Sequence, residues 1–469
     1  MVAQTLHLHF IVRSSAPDSV SLTHCGQTWH ISKEERDVSS HEVPEFVCIS
    51  YAWGGGRVPS PLDNNHSISD NTVPALTAAM SARPRCMRFW IDAFCVPTEG
   101  DSRRATLASM GWIYSLAAEV ICVLSPAARS IIDQISKSDS IDEAALNAME
   151  KDEWVSRAWT YQEVVNSPSI FFTCAALGNS SATDEDSSHG LIDGLHFLNC
   201  IGYTLSRLPG THLQKSHQFP CLDAFQELIA DWRLAMYQER SALQVLTNMD
   251  RRTQERPQDR YYAMIGAISR VPPSLSAVGN ACEEFMAICE GKGDYSLIFT
   301  ATERETEEGR RWRPRSTANL QSLLPWHLTG ESQPGHLDNE KGALCLDQMV
   351  ELQMGEPDDS AMSYIYVWVS LLQEPGDEKL PREESIFKCL KMMGFKGVSS
   401  CLYTEAGYFF PWKPIAHSGT VKIMVSLALT WGVGAPGLAC ERHGQDVVYT
   451  PGALIGRVGS ERASSVVLS

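Results

Sequence analysis

The sequence predicts an α/β fold: a parallel sheet flanked by helices, then a helical segment, then a mixed, β-rich C-terminal region. Three observations carry that expectation. "FVCISY" (46–51), "RFWID" (88–92) and "VICVLS" (120–125) are apolar throughout rather than alternating, the pattern of parallel strands buried on both faces. Between the second and third lies "RRATLASMGWIYSLAAE". There Leu107, Met110, Gly111, Tyr114, Ala117 and Ala118 fall on one helical face, so the segment reads as a βαβ unit. Beyond about residue 317, short apolar runs alternate with Gly/Pro turns, which reads as mostly β with one helix near 385–393.

The elements follow in order. "MVAQTLHLHFIVRSS" alternates like a strand and lacks the long apolar core of a signal peptide, so residues 1–39 are a lead-in strand region. Residues 40–178 hold the predicted parallel sheet. After its third strand, "SIDEAALNAMEKDEWVSRAWTYQEV" is helical in pattern, and "SIFFTC" (169–174) reads as one more strand. The polar, low-complexity "GNSSATDEDSSHG" (178–190) reads as a loop or boundary. Residues 191–302 are helical: Phe225, Leu228, Ile229, Trp232 and Met236 share one face, and "ACEEFMAIC" gives a later helix. Between them Asp259 is placed as the cap of "RYYAMIGAISR", which "VPP" stops. The charged "ERETEEGRRWRPRS" (303–316) marks a second boundary. Residues 317–469 carry the runs "GALCLDQMVELQ", "SYIYVWVSLL", "VKIMVSLALTW" and "DVVYTPGALIGRV". No internal repeat is found.

Composition narrows the function. An apolar fraction of 43% and a charged fraction of 20% are those of an ordinary globular protein. A net charge of -17 argues against phosphate-backbone binding, so no nucleic-acid partner is expected. The small basic cluster Arg83, Arg85, Arg88 reads as a solvated edge. The 14 cysteines form no CxxC pair, and Cys48, Cys95 and Cys122 sit inside apolar runs, as reduced thiols do. A reducing, cytoplasmic setting is therefore expected. Cys440 and His443 have one ligand-like spacing but no second pair, so no metal site is expected. The least charged stretch, Ile423 to Cys440, is interrupted by Gly432, Gly434, Pro436 and Gly437 and reads as strands and turns rather than a membrane span.

"EWVSRAWTYQEVV" (153–165) holds the most informative puzzle. Read as one helix, it places Trp154, Ala158, Tyr161 and Val165 on a core-facing stripe. Glu163 then points away from that stripe, and Trp159 lies about 40° from it on the same polar side, since each residue turns the helix by about 100°. Glu163 is either a site carboxylate with Trp159 as its neighbouring platform, or a solvated residue paired with Arg157 beside a tryptophan packed under a loop.

Ligands of parallel sheets bind at the carboxyl ends of the strands, where Ser50, Asp92 and Ser125 stand. Gly54, Gly55 and Gly56 follow the first strand directly. They either bring backbone N–H groups to an anion or form a flexible turn. They are not a phosphate loop of the Gly-Lys-Ser/Thr kind. Asp92 is either a ligand contact or a helix cap. Trp53 and Trp90 read as core. No G-x-S-x-G elbow is present for a Ser-His-Asp hydrolase.

Taken together, "FVCISYAWGGG", "RFWIDAFCV", "MGWIYSLAAEVICVLS" and "SRAWTYQEV" resemble the four ordered blocks of the fungal heterokaryon-incompatibility (HET) domain. "RRTQERPQDRYYAMIGAI" resembles the segment that commonly follows it, and "LLPWHL" (323–328) is faintly similar to a later motif. This chain has Val96, Pro97 and Thr98 where the family usually carries Asn-Gln, and Thr106 where it usually carries Gln. The HET domain in turn resembles the TIR fold, whose strand ending Ile-Ser-Tyr matches Ile49, Ser50 and Tyr51, and whose helical Trp and Glu match Trp159 and Glu163. The resemblance implies a TIR-like sheet and a role in non-self recognition and programmed cell death, through self-association and other incompatibility proteins. It leaves three roles open: an assembly module without chemistry, an NAD-cleaving nucleosidase using Glu163, and a HET-like accessory protein. In the enzyme reading NAD is the substrate and no resident cofactor is implied. Ser50, Gly54, Gly55, Gly56, Asp92 and Trp159 would then contact the nucleotide.

Overall fold

The computed structural model describes residues 5–14, 20–37, 43–63, 66–138, 140–175, 190–210, 212–234, 240–269, 280–324, 328–338, 342–372, 382–392, 400–415, 420–443, 446–459 and 463–468. Most of the expected loop at 178–190, the "VPP" stop and Met236 lie outside them. The chain divides into two compact units. The first comprises Met1–Leu208, Phe219–Met236 and Arg252–Leu275; the second takes Pro209–Gln218, Tyr237–Arg251 and Ser276–Ser469. The region 191–302, expected as one helical stretch, thus contributes to both.

The first unit is built on one mixed sheet. Its strands are β1 (Thr5–Ser14), β2 (Leu22–His24), β3 (Gln27–Asp37) and β4 (Val47–Tyr51). A separate hairpin follows, of β5 (Arg57–Pro59) and β6 (Ser67–Ser69). The sheet resumes with β7 (Arg88–Trp90), β8 (Glu119–Leu124), β9 (Ile170–Cys174) and β10 (Ile192–Asp193). The strand order is β10-β9-β8-β4-β7-β1-β3-β2. β4 pairs in parallel with both β7 and β8, and β8 pairs in parallel with β9. The three apolar runs are therefore adjacent parallel strands, as their unbroken hydrophobicity predicts. Every residue of β4 is buried. The sheet is nonetheless mixed. The lead-in strands of residues 1–39 add an antiparallel flank, with Ile11 opposite Phe89, and β10 adds a short antiparallel edge.

Two predicted helices break. "RRATLASMGWIYSLAAE" forms Gly100–Ala108 and Met110–Leu116, parting at Ser109. The stretch 153–165 forms Glu153–Ser156 and Ala158–Val165, because Arg157 takes an extended conformation with φ -75 and ψ 143. Tertiary hydrogen bonds pin that break. Thr253 N–H donates to Ser156 O at 2.7 Å, and Ala158 N–H to Thr253 O at 2.9 Å. Trp154, Ala158, Tyr161 and Val165 are still all buried, so the stripe holds although the helix does not run through it. Glycine allows the close packing of Ala158–Val165 against its neighbours. A Cβ on Gly266, in the helix Pro257–Ile268, would stand 1.5 Å from Gln162 Oε1, and one on Gly111 would stand 2.0 Å from Gly266 O.

The second unit is β-rich. Its long strands Ala343–Leu352, Thr420–Ser426, Gly434–His443 and Asp446–Gly456 pair antiparallel over a core that includes Val350, Phe409, Ile423, Val425 and Leu454. Two corrections arise here. "SYIYVWVSLL" is not a strand but part of the helix Asp359–Leu372. Its β-branched and aromatic composition favours strand, yet Ile365, Trp368 and Val369 are buried while Tyr366 and Val367 are exposed, which is helical spacing. Asp358 also caps it, accepting from Ala361 N–H at 2.7 Å. The charged stretch 303–316, expected as a boundary, is packed within the second unit. Glu305 N–H donates to Arg313 O at 2.9 Å, and the Arg313 side chain is buried against Glu283 and Glu290. Among the described residues no helix is long and apolar enough to cross a membrane.

Candidate functional site

The carboxyl end of β4 delivers Ser50 and Tyr51, and the carboxyl end of β7 delivers Asp92. The helix Ala158–Val165 lays Glu163 against them. Ser50 Oγ donates to Glu163 Oε2 at 2.5 Å and accepts from Trp154 Nε1 at 2.8 Å. Ser50, more than a hundred residues before the other two, links Trp154 and Glu163 into one relay. The Tyr114 hydroxyl also stands within hydrogen-bonding reach of Glu163.

Glu163 is not on a solvated face; only 4% of it is exposed. The stripe holds, but the face opposite it is covered as well: every residue of Ala158–Val165 except Trp159 is buried. Burial pushes the Glu163 carboxyl up to about 8, helped by the nearby Asp92 charge and opposed by the Ser50 hydrogen bond and Arg157. Loss of solvent likewise pushes Asp92 up to about 6, against hydrogen bonds that favour its charged form. Those bonds come from Trp53 Nε1 at 2.7 Å and Ala93 N–H at 2.7 Å. Asp92 is thus both a residue of the cavity and the first residue of the helix Asp92–Cys95, whose N–H it accepts.

Asp92, Glu163 and Trp159 line one cavity of about 300 Å³, together with Tyr51, Trp53, Arg57, Arg157 and Glu255. That volume is at the small end of ligand pockets. Trp159 is half-buried, and its indole N–H is held by Asp259. Asp259 is therefore not the cap of its helix: the N-cap position is Arg256. Trp53 also faces the cavity rather than the core, while Trp90 is fully buried against Tyr114. Ser50 does not line the cavity; it supports Glu163 from behind.

The glycines go elsewhere. Gly54 lines a second cavity beside β8, and Gly55 is exposed. The carbonyls of Gly54 and Gly56 each accept from Arg57 Nη1 at 3.0 Å. A Cβ on Gly56 would stand 1.9 Å from Asp70 Oδ2, so an acidic side chain rather than an open anion cradle faces that glycine. Ser125, the third strand-end residue, donates its N–H to Asp152.

Several residues of the cavity escaped sequence reading. Arg157 pairs with Glu255 at 3.5 Å, not with Glu163. Arg57 stacks 5.5 Å from the centre of the Trp53 ring and lies 3.8 Å from Glu255. The position of Arg57 directly after the glycine run was a usable signal. Nothing local marks Glu255, which arrives from almost a hundred residues downstream.

Residues 46–163 match the family described as heterokaryon incompatibility protein (HET), so the chain carries a domain of the HET family. The match begins in the run leading into β4 and ends on Glu163, spanning Asp92 and Glu163. It connects the chain to heterokaryon incompatibility. No curated protein and no solved structure matches the chain.

Proposed function

We propose that this domain is a nucleotide-cleaving signalling module: it hydrolyses the N-glycosidic bond of NAD with Glu163, and self-association together with binding of other incompatibility proteins couples that step to cell death. One observation carries the reading. Asp92 and Glu163, both pushed up by burial, share a cavity with the indoles of Trp53 and Trp159 and with Arg57 and Arg157 at the carboxyl ends of parallel strands. The likeness of Ser50, Tyr51, Trp159 and Glu163 to the TIR pattern supports it.

The chemistry follows from charge. A flat pyridinium ring stacks on Trp53 or Trp159, while the ribose hydroxyls reach the carboxylates. The C–N bond breaks heterolytically, its electron pair leaving with neutral nicotinamide, and positive charge grows on the ribose. The Glu163 carboxylate stabilises that charge in a site depleted of water. Water then adds to the ribose carbon, and Asp92 takes its proton. Free Glu163 holds a proton at neutral pH, and the cationic substrate favours its release because an adjacent positive charge stabilises the carboxylate. Ser50 keeps the carboxylate oriented, and Trp154 keeps Ser50 oriented.

The test is nicotinamide release by the purified full chain. Glu163→Gln is expected to cut release at least about 100-fold while leaving the circular dichroism spectrum unchanged. Full release by that variant would remove Glu163 from the chemistry. No release by the wild type, even when assembled, would leave the assembly module without chemistry.

A further inference from the structure

At the cavity mouth Glu255 stands between two arginines. Its Oε2 lies 3.8 Å from Arg57 Nη2, and its Oε1 lies 3.5 Å from Arg157 Nη2. We propose that Arg57 and Arg157 form a pyrophosphate subsite, and that Glu255 occupies it as an internal stand-in which a nucleotide's phosphates displace. The proposal rests on the nucleotide reading of the cavity and names the part of the substrate that the carboxylates leave unaccounted for.

Four features support it. First, the Arg57 side chain and the Arg157 backbone are held in place independently of Glu255. Arg57 commits Nη1 to the carbonyls of Gly54 and Gly56 and lays its guanidinium against Trp53, which leaves Nη2 to face the mouth. Arg157 sits at the helix break, fixed by the backbone ladder to Thr253. Second, both ion pairs are long, and their shared carboxylate is exposed. The Glu255 side chain is 51% accessible, and pairs of this kind contribute little, so a doubly charged ligand outcompetes them. Third, guanidinium groups match phosphate oxygens with several parallel N–H donors. Fourth, Arg157 acts electrostatically on both Asp92 and Glu163. A phosphate on its outer side therefore lies within a short reach of a ribose on its inner side. The glycine run thus serves an anion indirectly, by anchoring an arginine through its carbonyls rather than by offering its N–H groups.

Titration calorimetry on the full chain tests this with ADP-ribose, inorganic pyrophosphate and adenosine. Glu255→Gln keeps the size and removes the charge. It is expected to tighten ADP-ribose and pyrophosphate by between about two- and tenfold and to leave adenosine unchanged. Arg57→Gln is expected to weaken ADP-ribose about tenfold or more, with adenosine again unchanged. An equal shift for adenosine, unchanged or weaker ADP-ribose binding in Glu255→Gln, or no pyrophosphate binding by any form, overturns the subsite. Each reading fails separately. If nicotinamide is not released but ADP-ribose affinity responds to Glu255, cleavage is wrong and the subsite stands. If cleavage proceeds while ADP-ribose ignores Glu255, the reverse holds.

Discussion

Two cavities open at the carboxyl end of the same sheet, and both are lined by Tyr51. One, of about 300 Å³, lies on the β7 side and holds Asp92 and Glu163. The other, of about 240 Å³, lies on the β8 side and holds Asp152. Topology favours the second, because the chain order reverses between β4 and β8, and open α/β sheets bind ligands at such a switch point. The chemistry favours the first. Asp152 gives one oxygen to Ser125 N–H at 3.0 Å and the other to Trp154 N–H at 2.9 Å. It fastens a strand end to a helix start. Among the described contacts the Glu163 carboxylate meets the hydroxyls of Ser50 and Tyr114 rather than a backbone N–H, and burial pushes its pKa up. A buried carboxylate committed to backbone donors builds the fold; one that burial drives toward neutrality is available for a ligand.

The contrast can be broken most directly by activity. Asp92→Asn is expected to lower kcat/KM for nicotinamide release by about tenfold or more, because it removes a proton acceptor, while Asp152→Asn stays within about threefold of wild type. Equal losses would erase the distinction between the cavities.

Frame rigidity sharpens it next. Gly266→Ala drives a methyl group into Gln162, one residue before Glu163, and is expected to cost about 3 kcal/mol or more in chemical denaturation of the first unit. Asp152→Ala loses a cap and a strand-end anchor, and about 1–2 kcal/mol is expected in the same measurement. A null effect at Asp152 would mean that its backbone hydrogen bonds do not hold the fold.

The smallest expected effect is on pH dependence of stability. Glu163 and Asp92 have raised pKa values in the folded chain, so the stability they contribute is complete below the ordinary carboxylate range. It is lost as pH rises through about 6 for Asp92 and about 8 for Glu163. The wild-type Tm should therefore fall between pH 5 and 9 more than that of Glu163→Gln, by a few degrees; parallel curves would show that Glu163 is not buried as an acid. The same ionisations predict that kcat/KM for nicotinamide release rises over that interval, since the charged pair is the reactive form.

The sequence by itself determined the parallel strands. Unbroken apolar runs such as "VCISY" have no solvated face, and only a sheet covered on both sides satisfies them. It also marked Ser50, Asp92, Trp159 and Glu163, since strand ends and a helical carboxylate are local features. The tertiary structure decided the rest. A helical wheel separates the faces of a helix without saying which are covered: every residue of Ala158–Val165 except Trp159 is buried, so the expected polar face becomes a cavity wall that carries Glu163. The charged run at 303–316 became packed because Glu283 and Glu290 neutralise Arg313, partners that charge density alone does not reveal. Arg57, Arg157 and Glu255 meet only because residues 252–269 pack within the first unit. Periodicity reports which side of an element is apolar; which distant side chain occupies the space opposite is settled by packing, and the chemistry of this cavity lies there.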